Sequence, residues 1–278
     1  MSSHTQAVLD YYAKCWIPRI RNGHNSESLA IHYGYYDGSQ RSHDLAKADL
    51  NRFLAELLEV GVEDERRVID CGCGVGGTAI YLAQQFRRLR IDALNIDPVQ
   101  IELARRFAVE RKVEQRICFA SGDFAQMPYA DRSFDCVYAI ESMCQAADKG
   151  EVYAEAGRVL TMGGRLAILD HVQSRTPATR SERSALERLC RGGCIPDCHS
   201  RFRDKLRASG FRHVDRRDIT PKVLPGVVRS ADTATRLLPE LRRKREDPRV
   251  IDHYDAVVAL RELIDSGVVS YSAVLAVR

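Results

Sequence analysis

The chain has 278 residues, 45% hydrophobic and 29% charged, which fits one large globular α/β domain with elaborations or two small ones. A net charge of +4 is too small to indicate a nucleic-acid partner, and no apolar run approaches the ~20 residues needed to span a bilayer. Nine scattered cysteines, with no basic-then-apolar leader ahead of them, point to reduced thiols in a cytoplasm.

Residues 8–20 are aromatic and helical by pattern, ending near Pro18. A loop with Gly23 and Asn25 leads into Ile31-His-Tyr-Gly-Tyr-Tyr-Asp37. Asp44 or Ser42 can cap a helix over 45–60, with leucines 50, 54, 57 and 58 on one face. Strands at 67–71, 90–96, 116–120, 134–140 and 164–170 alternate with helices at 77–86, 99–112 and 150–160. That alternation predicts parallel βαβ units. A helix at 200–209 and a strand near 211–219 follow, then charged helical segments over 228–264 and a closing strand at 267–277. The expected fold is α/β, a doubly wound, Rossmann-like, mostly parallel sheet of seven strands. Its elaborations are an N-terminal helical arm or lid (residues 1–43) on a ligand-binding domain (44–278), and a helical cap from about 172–198 and 222–264. Arm and cap meet over the carboxyl edge of the sheet, where such folds bind ligands.

The run Val68-Ile-Asp-Cys-Gly-Cys-Gly-Val-Gly-Gly77 is the most informative in the chain. A strand ends at Val68 and Ile69, and glycines 72, 74 and 76 make a turn that brings backbone close to a ligand. Gly72, Gly74 and Gly77 also satisfy the dinucleotide fingerprint, with Asp97 suitably placed downstream. Asp70 decides between nucleotides. A carboxylate two residues before the first glycine repels a pyrophosphate but accepts from an ammonium, so an adenosine joined to an amino acid fits better. Asp97 suits the two ribose hydroxyls and, with Pro98, also reads as a helix cap. In Ser121-Gly-Asp-Phe124, Asp123 can accept from an adenine amino group while Phe124 or Ile101 packs on the ring.

The pattern Asp70-x-Gly72-x-Gly74-x-Gly76 after a strand resembles the first motif of class I S-adenosylmethionine (SAM) methyltransferases. Tyr138-Ala-Ile-Glu-Ser-Met-Cys-Gln-Ala-Ala-Asp-Lys149 resembles the matching segment of sterol C-methyltransferases, as does the arm with Tyr11-Tyr12 and His32-Tyr-Gly-Tyr35. The same arm elements occur in tocopherol methyltransferases and, more distantly, in cyclopropane fatty-acid synthases and prenyl-diphosphate C-methyltransferases. The resemblance covers most of 8–220 and departs at Gln145, where sterol enzymes usually have His. It implies SAM as cofactor, held by Tyr12, Tyr33, Asp70, Gly72, Gly74, Asp97, Pro98, Gln100, Asp123, Phe124 and Ile140.

For catalysis, Glu141 at the end of the fourth strand is expected to stabilise a carbocation left by methylation of an alkene, with water excluded. Aromatic faces of Tyr11, Tyr12, Tyr35 and Trp16 assist, each by ~0.5–2 kcal/mol. His171, and with equal standing His32, are candidate bases or hydrogen-bonded loop residues. From Val172 to Arg217 the chain carries twelve Lys or Arg against five Asp or Glu, and Arg242-Arg-Lys-Arg245 adds a second basic cluster. These are solvated helix faces or the rim of an anionic-substrate pocket. Mg2+ is implied only for a diphosphate acceptor. Cys190, Cys194 and Cys198-His199 lack paired zinc spacing, and no metal site is expected.

The leading function is C-methylation of an isoprenoid or prenylated small molecule in secondary metabolism. O- or N-methylation of a small metabolite, with His171 or Glu141 as base, is the alternative. An RNA methyltransferase lacks its Pro-Pro catalytic motif and RNA module here, and a non-catalytic SAM scaffold does not need the full acidic set. The expected partner is a hydrophobic small molecule, with no nucleic acid or membrane span, and the aromatic arm can exchange between subunits in a homo-oligomer.

Overall fold

The computed structural model describes residues 3–23, 26–38 and 42–278, so Asn25 of the expected arm loop lies outside them. Helices α1 (Ser3–Cys15) and α2 (Ile17–Arg21) break at Trp16. Pro18 falls in the first turn of α2, where its missing N–H removes no helical hydrogen bond. Helix α3 (His43–Leu57) is capped by Ser42, whose hydroxyl accepts from the Leu45 N–H at 3.3 Å.

Strands and helices then alternate as β1 (Arg67–Cys71), α4 (Gly77–Gln85), β2 (Arg90–Asn95), α5 (Pro98–Glu110), β3 (Ile117–Ser121), β4 (Phe134–Ile140), α6 (Lys149–Val159) and β5 (Leu160–Gln173). After them come α7 (Arg180–Arg191), β6 (Asp197–Cys198), α8 (His199–Ala208), β7 (His213–Asp218), α9 (Thr220–Arg243), α10 (Pro248–Asp265) and β8 (Val269–Val277). Among the described residues no helix is long and apolar enough to cross a membrane.

The sheet runs β3-β2-β1-β4-β5-β8-β7, parallel except where β8 lies antiparallel to β5 and β7. It has eight strands, not the seven expected. Strand β5 outruns β4, whose last pair is Ile140 with Leu169, and the two-residue β6 fills the exposed edge at Val172 and Gln173. Residues 172–173 and 197–198 therefore belong to the sheet, and only α7 between them is helical.

Successive strand residues feed opposite faces: Val68, Ala167 and Leu169 enter one core, Ile69, Leu166 and Ile168 the other. The first core packs under α3, α4, α9 and α10, the second under α6 and α8. A small third cluster joins Ile17 and Ile20 of the arm to Val75 of the β1–α4 loop and Leu103 of α5. The arm is thereby anchored over the carboxyl ends of β1 and β2. Strand order reverses at β1 and β4, which opens a crevice between their carboxyl tips.

Candidate active site

A cavity of about 730 Å³ fills that crevice, within the range of small-molecule sites. Its floor is the β1–α4 loop, with Gly72, Gly74 and Gly76 at φ of +91°, +55° and +85°. A Cβ on Gly72 would sit 2.4 Å from the Ser142 Cβ, so the turn closes only without a side chain. The Gly72 and Cys73 N–H groups both donate to the Leu94 carbonyl, at 2.8 and 3.0 Å, tying the loop to β2. Gly77 has a different duty. A Cβ there would lie 2.6 Å from the Leu29 carbonyl carbon, because the arm crosses directly over it.

Asp70 lines the cavity, 3% exposed, and accepts a 2.7 Å hydrogen bond from the Tyr138 hydroxyl. Burial pushes its carboxyl up to about 7 against the pull of that bond. Asp97 caps α5 as expected, its Oδ1 accepting from Val99 N–H at 2.9 Å and its Oδ2 from Gln100 Nε2 at 3.1 Å. Each oxygen keeps a second lone pair. Gln100 Oε1 and Asn95 Nδ2, beside these carboxylates in sequence, are buried without a partner among the described residues.

Glu141 follows β4 at φ +49°, a left-handed conformation that costs a non-glycine residue roughly 1–2 kcal/mol. Its Oε1 accepts from the Tyr33 backbone N–H at 2.8 Å and the Tyr271 hydroxyl at 2.9 Å. Burial outweighs these bonds and the charge of His171, raising the carboxyl to about 7.

Residues 69–168 match the methyltransferase-domain family. A methyltransferase of Streptomyces halstedii is 39% identical over 143 residues, 51% of each chain. The sterol 24-C-methyltransferase of Schizosaccharomyces pombe is 34% identical over 148 residues, 53% of this chain and 38% of that one. The chain thus spans about half the length of the first relative and less of the second. A geranyl diphosphate methyltransferase solved with GPP and sinefungin superposes with a TM-score of 0.79 at 19% identity, covering 100% of both chains. Residues 69–168 thus carry a methyltransferase domain, and the chain as a whole shares the fold of that geranyl diphosphate methyltransferase.

In this fold the tips of β1 and β2, the glycine cradle and the orphaned Gln100 Oε1 fit a nucleoside with an ammonium tail. Asp70, Gly72, Gly74, Gln100, Ile140, Glu141, Tyr12 and Tyr33 all line the cavity. Asp97, Pro98, Asp123 and Phe124 are not on its wall. Asp123 is exposed and accepts from the Ala125 N–H at 2.8 Å, while Phe124 lies beside the loop, 3.6 Å from where a Gly72 Cβ would be.

Tyr12 donates to Gln145 Oε1 at 3.1 Å, so the residue standing in place of His holds the arm down. Burial keeps both Tyr12 and Tyr33 as neutral phenols. Tyr11 and Trp16 reach the cavity too, but Tyr35 stacks on Phe53 at 5.0 Å and is not on the wall.

Both histidines line the cavity, but their protonation differs. His32 contacts the Tyr33 carbonyl at 2.7 Å and Asn51 Oδ1 at 3.1 Å; burial lowers it to about 4, leaving a neutral tie between arm and α3. His171 lines the cavity, edge-on to Tyr33 and Tyr271. Burial alone would lower it, yet hydrogen bonding to Asp170 and Cys144, with the charges of Glu141 and Asp170, raises it to about 10.

The basic clusters are solvated faces, not a rim. Arg175 pairs with Glu182 at 2.6 Å, Arg188 with Glu262, Arg191 with Asp252 at 3.4 Å, and Arg242 with Asp255 at 2.7 Å. Three other cations, Arg19, Lys47 and Arg229, line the cavity. Arg19 turns to His253 Nε2 at 3.0 Å and Lys47 to the Ala30 carbonyl at 2.9 Å. Sequence reasoning missed Tyr271, Lys47 and the pairing of Cys144 with Cys194 near His171. Each is set by a long-range contact that carries no local signature.

Proposed function

We propose that this methyltransferase moves the methyl group of SAM to a carbon of an olefinic, isoprenoid-type small molecule of secondary metabolism. One observation carries the reading: a carboxylate, Glu141, fixed by two donors in a left-handed turn, on the wall of a cavity that Tyr11, Tyr12, Trp16, Tyr33 and Tyr254 also line. Bound SAM would supply an electrophilic methyl on sulfur, and the alkene π pair forms the new C–C bond as the S–CH3 bond breaks. The acceptor is left as a cation. Glu141 stabilises it in a site shielded from water, and the aromatic faces add to that. A proton lost from the neighbouring carbon can pass to Glu141, whose carboxyl near 7 is matched to take it.

The arm and the cap of α7, α9 and α10 act as the lid over a wall that carries Arg19, Lys47 and Arg229. A second reading rests on the same raised carboxyl: Glu141 as general base for O-methylation of a hydroxyl.

The test supplies labelled SAM with geranyl and farnesyl diphosphates, prenylated indoles, sterols and tocopherols. Glu141→Gln should keep SAM affinity and lose turnover by about 100-fold or more. NMR of the product should show a new C–CH3 group. Unchanged turnover removes Glu141 from the chemistry, and an O–CH3 product selects the second reading.

A further inference from the structure

Three metal-ligating side chains meet on the wall of the cavity. The ligand atoms of Cys144, His171 and Cys194 all lie within 4.8 Å of one another, and His171 Nδ1 is 3.9 Å from Cys194 Sγ. In a tetrahedral site with Zn–S about 2.3 Å and Zn–N about 2.0–2.1 Å, neighbouring ligand atoms stand about 3.5–3.8 Å apart. The cluster needs a contraction of up to about 1 Å, within the reach of side-chain rotation.

Its backbone is already fixed. The Asp170 carboxylate accepts from the Cys144 N–H at 2.8 Å through Oδ2 and from the His171 N–H at 2.7 Å through Oδ1. The Ile195 N–H donates to the Cys144 carbonyl at 2.9 Å, which brings the Cys194 loop onto the same point. Asp170 also lies 3.4 Å from His171 Nδ1, so negative charge is in place to offset a cation. His171 Nε2 is buried without a partner among the described residues. Cys144, His171 and Cys194 all line the cavity, so an ion has both an entry path and a coordination position open to a bound molecule.

We propose that Cys144, His171 and Cys194 bind one zinc-class ion whose fourth position faces the acceptor. Two sulfur ligands and one imidazole select zinc or another soft ion over Mg2+. Three protein ligands with one open position is the arrangement that polarises a bound oxygen, so the ligand it takes is a carbonyl or hydroxyl oxygen of the acceptor.

The protein, reduced and stripped with a chelator, is titrated with Zn2+ and with Co2+. The expected result is one ion per chain, proton release on binding, and a thiolate-to-cobalt charge-transfer band. Cys144→Ser and Cys194→Ser each diminish the band and weaken Zn2+ binding at least about tenfold, while Cys190→Ser and Cys198→Ser change neither. Melting curves of the ion-free variants confirm that each is folded. Absence of stoichiometric binding overturns the site, and so does binding that survives in the Cys144→Ser, Cys194→Ser double variant. Because the readout is the ion itself, that failure leaves the methyl-transfer reading standing.

Discussion

Asp70 gives the sharpest prediction, because one buried carboxyl is asked to be neutral and charged in different states of the site. Burial moves it from 3.8 to about 7 in the free protein, while an ammonium group in the cavity needs the ionised form. At pH 6 only about one molecule in ten holds Asp70 ionised, so SAM affinity should fall about tenfold per pH unit below 7 and level off above it. Asp70→Asn should flatten this profile and weaken binding at pH 8 by about 10- to 100-fold, the loss of a charged hydrogen bond.

Stability should move the other way. A raised carboxyl means the folded state favours the proton, so the penalty of burying the charge is absent below 3.8, grows with pH and is complete above 7. Its ceiling is roughly 4 kcal/mol. Asparagine escapes the penalty and can still accept from Tyr138, so the ligand-free variant should melt higher than wild type at pH 8, with no such gain below pH 3.8. Calorimetric titration of SAM from pH 5.5 to 8, with melting curves of both proteins, checks both halves. A flat wild-type profile, or a lower melting point for Asp70→Asn at pH 8, refutes the reasoning.

Three further outcomes follow from single contacts. Gly72→Ala combines a left-handed φ with a 2.4 Å collision on Ser142, so urea unfolding should show a loss of about 2–5 kcal/mol; a loss below about 1 kcal/mol would contradict the geometry. Lys47 is lowered by burial from 10.5 to about 8, so its folded state holds fewer protons and wild-type stability should climb relative to Lys47→Met between pH 8 and 10.5, with the full penalty below pH 8. Urea titrations across that window measure the difference, and a constant gap would remove the buried charge from the account. Alanine at Arg175, Arg191 or Arg242 should cost at most about 1 kcal/mol each and leave KM for SAM and acceptor unchanged; a raised KM would return the cap to the substrate rim.

What the sequence reveals here depends on how far apart the cooperating residues lie. Asp70 and its glycines are legible because the turn is local: a strand, a carboxylate and three positive-φ positions fall within seven residues. Strands β1 and β4 keep their expected bounds because their buried runs are bracketed by charged or turn residues. Strand β6 has only two residues and exists because β5 outruns β4, a relation no window of sequence contains.

Gly77 shows the converse. Read by spacing it completes a dinucleotide fingerprint, but in the fold it makes room for Leu29, and the arm closes down where a pyrophosphate-binding loop would stay open. The cavity's chemistry is assembled in the same long-range way. Tyr271 reaches Glu141 through the antiparallel pairing of β8 with β5, 130 residues away in the chain, and Cys194 reaches His171 from the loop after α7. Glu141 itself could be placed at a strand tip from sequence. The left-handed turn that aims it, and the two donors that hold it, exist only once the arm and the last strand have both closed over that tip. Displacing the arm therefore removes one of the two donors that hold the carboxylate.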